Sequence, residues 1–246
     1  MLTDYHTHIG QYYNIYTTPE ELVRVMDASG IDRFATSSTT ICDCDYNKVL
    51  SEMSTLVRIA GARFLPILWI VPSMLQDGGL QLFLDSSIEW KILKIHPQLY
   101  PATCVCGNSF LRRVISLAKR MRLPLLIHTG DKPGCFPSLY ERVISRHSDV
   151  TFILAHGRPI EEAITVMRNC PNTMVDTAFM PVEDQRKLVD KGFASRMLFG
   201  TDIPINKFYY PQMPTSEFVQ KHLDELRSVT TEEQYLQIIN NTPFKK

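Results

Sequence analysis

The chain repeats one unit along its length: a short apolar run, a polar loop and a segment with helical periodicity. Eight apolar runs are present, at residues 2–6, 32–35, 64–70, 91–96, 125–128, 151–156, 173–176 and 197–200. They are almost continuously apolar, which is typical of strands buried on both faces of a parallel sheet. Eight units in 246 residues give about 31 residues each, the size of a strand with its crossover helix. The pattern predicts an α/β chain folded as a (β/α)8 TIM barrel, with a doubly wound open sheet as the alternative.

The segments between the apolar runs carry helix signals. Thr18 and Glu21 have the spacing of a capping box, Pro19 stands at the first helical position, and Gly30 is placed to end that helix. A later segment has apolar residues at the 3, 4, 7 spacing of one helical face: Leu111, Val114, Ile115 and Ala118. Strands alternating with helices favour one domain over residues 1–246.

Composition excludes several classes of protein. Lysine plus arginine and aspartate plus glutamate number 26 each, so the chain lacks the basic excess of a general nucleic-acid binder. The apolar stretch at residues 64–75 is too short for a bilayer and contains Pro66 and Pro72. No basic and apolar leader opens the sequence. We therefore expect a cytoplasmic protein that binds neither membrane nor nucleic acid.

Four histidines and one aspartate stand where predicted strands end. His6 and His8 close the first, His128 the fifth, His156 the sixth, and Asp202 follows the eighth. In a barrel the carboxyl ends of all strands open onto one face, and residues two apart on a strand point to the same side. Imidazoles with a carboxylate suit Zn²⁺ or another divalent transition metal. The alternative is that these histidines are hydrogen-bonded residues of the core and loops.

The motifs DYHTH, KIHP, LLIHTG, ILAHG and FGTDIP, in this order, resemble those of the amidohydrolase superfamily of metal-dependent hydrolases. The resemblance is strongest to the branch that contains aminocarboxymuconate-semialdehyde decarboxylase, and it covers residues 5–204. It implies one divalent ion, most suitably Zn²⁺, held by His6, His8, His128 and Asp202. His156 would lie beside the ion and orient or polarise the water or substrate. Asp202 would also move the proton of the attacking water.

Lys94 stands two residues before His96 on the fourth predicted strand, and it has three possible roles. In dinuclear branches of the superfamily a lysine on this strand is carboxylated and bridges two metals. The resemblance then implies two ions, with His128 and His156 on the second. Lys94 could instead be a plain cation in the pocket that takes part in catalysis, or one half of a buried ion pair.

The preferred function is hydrolysis of a small ester, lactone or amide. Four cations are predicted near the mouth of the barrel, and they favour an anionic small-molecule substrate: Lys94, Lys132, Arg158 and Lys207. Decarboxylation by the same ligands is the first alternative. A TatD-type deoxyribonuclease is the second, although that resemblance requires a glutamate where this chain has Lys94. A non-catalytic binding barrel and a homo-oligomer remain open.

Six cysteines include two C-x-C pairs, Cys42 with Cys44 and Cys104 with Cys106. Their spacing lacks the C-x2-C form of structural zinc sites, so we expect reduced, unconnected loop thiols. Among the remaining histidines, His222 is expected to be exposed on a late helix.

Overall fold

The computed structural model describes residues 1–100 and 109–244, and these form a curled sheet surrounded by helices. The described strands are β1 (Thr3–Tyr12), β2 (Ile15–Thr17), β3 (Arg33–Ser38), β4 (Phe64–Trp69), β5 (Ile92–Ile95), β6 (Leu125–His128), β7 (Phe152–Ala155), β8 (Thr173–Asp176) and β9 (Met197–Leu198). Their order in the sheet is β2-β1-β3-β4-β5-β6-β7-β8-β9. Every neighbouring pair is parallel except β1 with β2. Eight parallel strands therefore follow one another in chain order.

The segment after β9 closes this sheet onto β1. The Tyr5 N–H donates to the Phe199 carbonyl (2.9 Å), and the His8 N–H donates to the Ile203 carbonyl (2.7 Å). Thr7 and Ile203 also form a parallel bridge. Closure removes the edges that an open sheet would leave, so the predicted (β/α)8 barrel is confirmed and the doubly wound alternative is wrong.

Helices cover the outside of the barrel. Those described are α1 (Pro19–Ala28), α2 (Tyr46–Ala60), α3 (Gly79–Leu84), α4 (Ser109–Met121), α5 (Ser138–Ser145), α6 (Ile160–Asn169), α7 (Val182–Asp190), α8 (Asn206–Tyr209), α9 (Thr215–Ser228) and α10 (Glu232–Ile239). The predicted capping box of Thr18 and Glu21 begins α1, and the apolar face of α4 is buried. No helix in the described ranges is both long and apolar enough to cross a lipid bilayer.

The first strand is longer than the sequence predicts, because its last three residues extend beyond the pairing with β3 and pair with β2 in a hairpin. Gly10 lies opposite Thr17 in this pairing and has a left-handed φ of 91°. A Cβ at Gly10 would lie 2.5 Å from Thr40 Oγ1, so glycine is required there. The hairpin places Tyr12 and Tyr13 at the mouth of the barrel.

The inner faces of the strands change from apolar to polar toward their carboxyl ends. Ile92, Leu126 and Met174 belong to one small buried apolar cluster. Each stands two residues before a polar side chain on the same face of its strand, namely Lys94, His128 and Asp176. The apolar layer supports a polar layer directly above it.

Candidate metal centre

A cavity of about 850 Å³ opens at the carboxyl ends of the barrel strands. Every site residue predicted from the sequence lines it: His6, His8, Lys94, His128, His156 and Asp202. The fold therefore brings together residues that are up to 196 positions apart, which the sequence pattern predicts for a closed barrel.

Both histidines of the H-x-H pair have a fixed orientation. His6 Nδ1 lies 2.9 Å from Asp176 Oδ2, and His8 Nδ1 lies 3.0 Å from Ser37 Oγ and 3.3 Å from the Ser37 carbonyl oxygen. The carboxylate and the carbonyl can only accept, so each Nδ1 carries the proton. Each Nε2 therefore presents a lone pair, which is the state in which imidazole binds a metal.

These lone pairs converge on Asp202. Its Oδ1 lies 3.1 Å from His8 Nε2 and 3.5 Å from His6 Nε2, and its Oδ2 lies 4.0 Å from His156 Nε2. Ligand atoms of His6, His156 and Asp202 all lie within 4.8 Å of one another. Acceptors packed this closely repel one another unless a cation lies among them, and in this structure the Lys94 ammonium group is such a cation for the two Nε2 atoms. The donor set, neutral imidazoles with one carboxylate, fits a divalent transition-metal ion.

The backbone around Asp202 is held by residues of β1. The Asp202 N–H donates to the His6 carbonyl at 2.7 Å, and Asp202 has a left-handed φ of 61°. Just before it, Thr201 donates through its hydroxyl (2.6 Å) and its N–H (3.2 Å) to the carboxylate of Asp4. Burial raises the pKa of Asp4 to about 7. A strained non-glycine conformation at a cavity residue is typical of functional sites.

His156 and His128 are positioned in different ways. His156 also has a left-handed φ, 67°, and its Nδ1 lies 2.9 Å from the Ala178 carbonyl, so its Nε2 faces the cavity. The His128 ring instead stacks on His96 with centroids 3.7 Å apart, and it lies 4.9 Å from the His156 ring. His128 is outside the three-residue cluster of His6, His156 and Asp202. Its role as a ligand stays a prediction.

Lys94 is 1% exposed and points at the same centre. Its Nζ lies 3.1 Å from His8 Nε2 and 3.2 Å from His6 Nε2, and it stands 4.6 Å from the centroid of the Trp69 ring. Burial lowers the pKa of Lys94 to about 8. Burial, followed by the charge of Lys94, holds the pKa of His6 and of His8 well below its usual range, so both rings stay neutral at pH 7.

Sequence reasoning missed the residues that support the candidate ligands. Asp176 is the most important, because its Oδ1 also accepts from the His156 N–H at 2.9 Å. It closes the seventh apolar run, so the strand-end signal that identified the other residues could have found it. The prediction for His222 was wrong: it is 4% exposed and its Nε2 lies 3.1 Å from Thr177 Oγ1. Helical spacing does not show which polar residue of α9 faces the barrel.

The described cysteines at the cavity do not form a cluster with the histidines. Cys42 and Cys44 are exposed free thiols, whereas Cys104 and Cys106 lie outside the described residues. Partial burial raises the pKa of the Cys42 thiol to about 11, the opposite of the lowered pKa that reactive thiols have.

We therefore expect the metal content to survive removal of both C-x-C pairs. Serine at positions 42, 44, 104 and 106 should leave the metal-to-protein ratio unchanged when both proteins are measured by elemental analysis. Loss of one metal equivalent would instead indicate a cysteine-bound ion. Serine at the buried Cys170, distant in sequence from both pairs, provides a control for the effect of the substitution itself.

Comparison with known proteins shows the family and the fold of this chain. The family model described as Amidohydrolase matches residues 91–234, which is more than half of the chain. No curated protein sequence matches this chain.

Solved structures share the fold at low identity. An uncharacterised TIM-barrel protein from Bordetella bronchiseptica has 17% identity and a TM-score of 0.71, over 97% of this chain and 95% of that one. A zinc-bound amidohydrolase from Burkholderia multivorans has 11% identity and a TM-score of 0.68, over 98% and 96%. A probable 2-pyrone-4,6-dicarboxylic acid hydrolase from Acinetobacter baumannii, with citric acid bound, has 8% identity and a TM-score of 0.68, over 97% and 96%.

Proposed function

Because the chain belongs to the Amidohydrolase family, whose members are metal-dependent enzymes, we propose that it hydrolyses a small ester, lactone or amide. The observation that carries this proposal is the convergence of the His6 and His8 Nε2 atoms on the carboxylate of Asp202. These acceptor atoms line an open cavity, and the two Nε2 atoms already contact one cation, the Lys94 ammonium group. The arrangement is suited to hold a cation against a substrate.

The ligand set we propose is His6, His8, His128 and Asp202, with His156 beside the ion. We propose Zn²⁺, one ion per chain, because imidazole-rich sites with one carboxylate suit zinc; the zinc-bound relative from Burkholderia supports this choice. When bound, the ion would lower the pKa of a water molecule toward about 7 and polarise the carbonyl to be attacked.

Asp202 is the residue that moves the proton. Its Oδ1 faces His6 and His8, while its Oδ2 is directed toward His156 and its side chain is 13% exposed to the cavity. The second oxygen can accept a proton from the attacking water and later donate it to the leaving group. His156, with its Nδ1 held by the Ala178 carbonyl, directs a lone pair into the same space and can orient the water.

Lys94 is proposed to contribute charge. Its ammonium group lies within hydrogen-bond distance of both Nε2 atoms, so it would have to move off these two lone pairs when the ion binds them. Because Lys94 is buried, a substrate oxygen that becomes negative during the reaction would be stabilised by it more strongly than in water. A carboxylated Lys94 bridging two ions is the alternative, and the number of ions distinguishes the two.

The proposal is tested by metal content and hydrolysis on one sample. We expect about one equivalent of metal, loss of lactone or ester hydrolysis after chelation, and recovery when Zn²⁺ is returned. The assay should follow both acid release and CO₂, because decarboxylation by the same residues would release CO₂ without consuming water. Active, unchelated protein without stoichiometric metal would contradict the proposal, and two equivalents would favour the carboxylated Lys94.

A further inference from the structure

Arg158 lies in the wall of the cavity without a counterion among the described residues. Its Nε is shielded from solvent and has no hydrogen-bond acceptor in the described part of the chain. Other arginines of the protein do find partners: Arg63 pairs with Asp27, and Arg196 donates to the Met167 carbonyl. Arg158 is partly exposed to the cavity, but its Nε–H is buried, and a buried donor without an acceptor costs free energy, so a bound molecule is expected to supply the missing acceptor.

The backbone holds Arg158 at the mouth of the site. It follows His156 and Gly157 directly after β7, and its N–H donates to Thr129 Oγ1 at 3.3 Å, on the neighbouring strand end. Gly157 has a left-handed φ of 57°, and a Cβ there would lie 2.6 Å from Val175 Cγ2. The turn therefore has little freedom, and the backbone of Arg158 is fixed relative to His156.

The charges that line the cavity favour an anion. Three positive side chains (Lys94, Lys132, Arg158) balance three negative ones (Asp43, Asp131, Asp202). Asp43, Asp131 and Lys132 are exposed, so solvent screens their charges, and the less exposed charges are Lys94, Arg158 and Asp202. A bound divalent ion would add two positive charges and make the loaded cavity more positive. A positive, partly enclosed cavity attracts anionic substrates.

We infer that Arg158 binds a carboxylate of the substrate that is separate from the bond being cleaved. The natural substrate is then a small carboxylic acid that also carries an ester, lactone or amide. A guanidinium offers two parallel N–H donors, which match a planar carboxylate. A volume of about 850 Å³ accommodates such a molecule. This inference rests on the proposed function, because it takes the same cavity as the substrate site.

Benzoate and benzamide have the same shape and differ in charge, so they separate anion binding from shape recognition. In calorimetric titrations with and without added Zn²⁺, which separate binding at Arg158 from binding of the carboxylate to the ion, Arg158→Gln should weaken benzoate binding roughly 10- to 100-fold and leave benzamide binding unchanged. Arg158→Lys keeps the charge without the two-pronged donor and should recover part of the loss. Arg186→Gln, the same change on the exposed side of α7, is the matched control.

Two results would overturn this assignment. The first is benzoate binding that is unchanged in an Arg158→Gln protein whose melting temperature and metal content match the parent. The second is phenyl phosphate binding that depends on Arg158 while benzoate binding does not, since the anion would then be a phosphate.

The test also separates this inference from the proposed function. If the parent protein hydrolyses no ester, lactone or amide but Arg158→Gln abolishes benzoate binding, only the proposed hydrolytic function is contradicted. If the parent protein hydrolyses neutral esters but benzoate binding does not depend on Arg158, only the proposed carboxylate-binding role of Arg158 is contradicted.

Discussion

Asp202→Asn is expected to keep most of its metal while kcat falls by roughly 10²- to 10⁴-fold, the contribution of a general acid–base group. The amide has nearly the same size and retains one neutral oxygen toward His6 and His8. It lacks the basic oxygen that faces the cavity and cannot accept the proton of the attacking water. Metal content and kcat must be measured on the same sample, because loss of metal alone would also abolish activity.

Two comparisons sharpen this experiment. Asp190→Asn makes the same chemical change at an exposed position at the end of α7 and should leave kcat unaltered. His156→Asn should also keep the ion and lower kcat, because its lone pair faces the cavity. A fully metal-loaded Asp202→Asn protein with the parental kcat would rule out the proton-transfer role.

His6→Asn is expected to release most of the metal, and His8→Asn likewise. Each removes an Nε2 atom that faces the centre, whereas Asp202→Asn keeps an oxygen there. Metal bound only to the folded state stabilises it by mass action, so both variants should also lose the rise in melting temperature that added Zn²⁺ gives the parent. Elemental analysis after gel filtration and thermal denaturation with and without Zn²⁺ measure these effects.

Asp176→Asn tests the same metal site through a residue that orients His6, and its effect on metal affinity should be smaller than that of His6→Asn. Asp176 touches His6 Nδ1 and not the centre itself, so its replacement should weaken metal affinity by roughly 10- to 100-fold, as for other carboxylates that orient a ligating histidine. His147→Asn, at a histidine after α5 that is not part of the cavity lining, is the control. Parental metal content in both His6→Asn and His8→Asn would mean that the pair does not bind the ion.

The sequence alone determined the alternating strands and helices and predicted most of the candidate site, whereas the contacts between β1 and the segment after β9 decided that the sheet closes. Eight runs without alternation required strands buried on both faces, and helical segments between them required parallel connections. Once the strands are parallel and the sheet is closed, residues at their carboxyl ends must meet. His6, His8, His128, His156 and Asp202 could therefore be placed on one face before any contact was known.

Only the tertiary structure decided how those residues are held. The partners of the ligands come from other strands: Asp176 on β8 orients His6, and Ser37 on β3 orients His8. Such pairs depend on the register and twist of neighbouring strands, which a run of apolar residues does not encode. The same reason explains why His222 was wrongly predicted to be exposed, because the face that α9 turns toward the barrel is set by packing. Likewise, the lack of a counterion for Arg158 is a property of three-dimensional neighbours, and sequence spacing cannot show it.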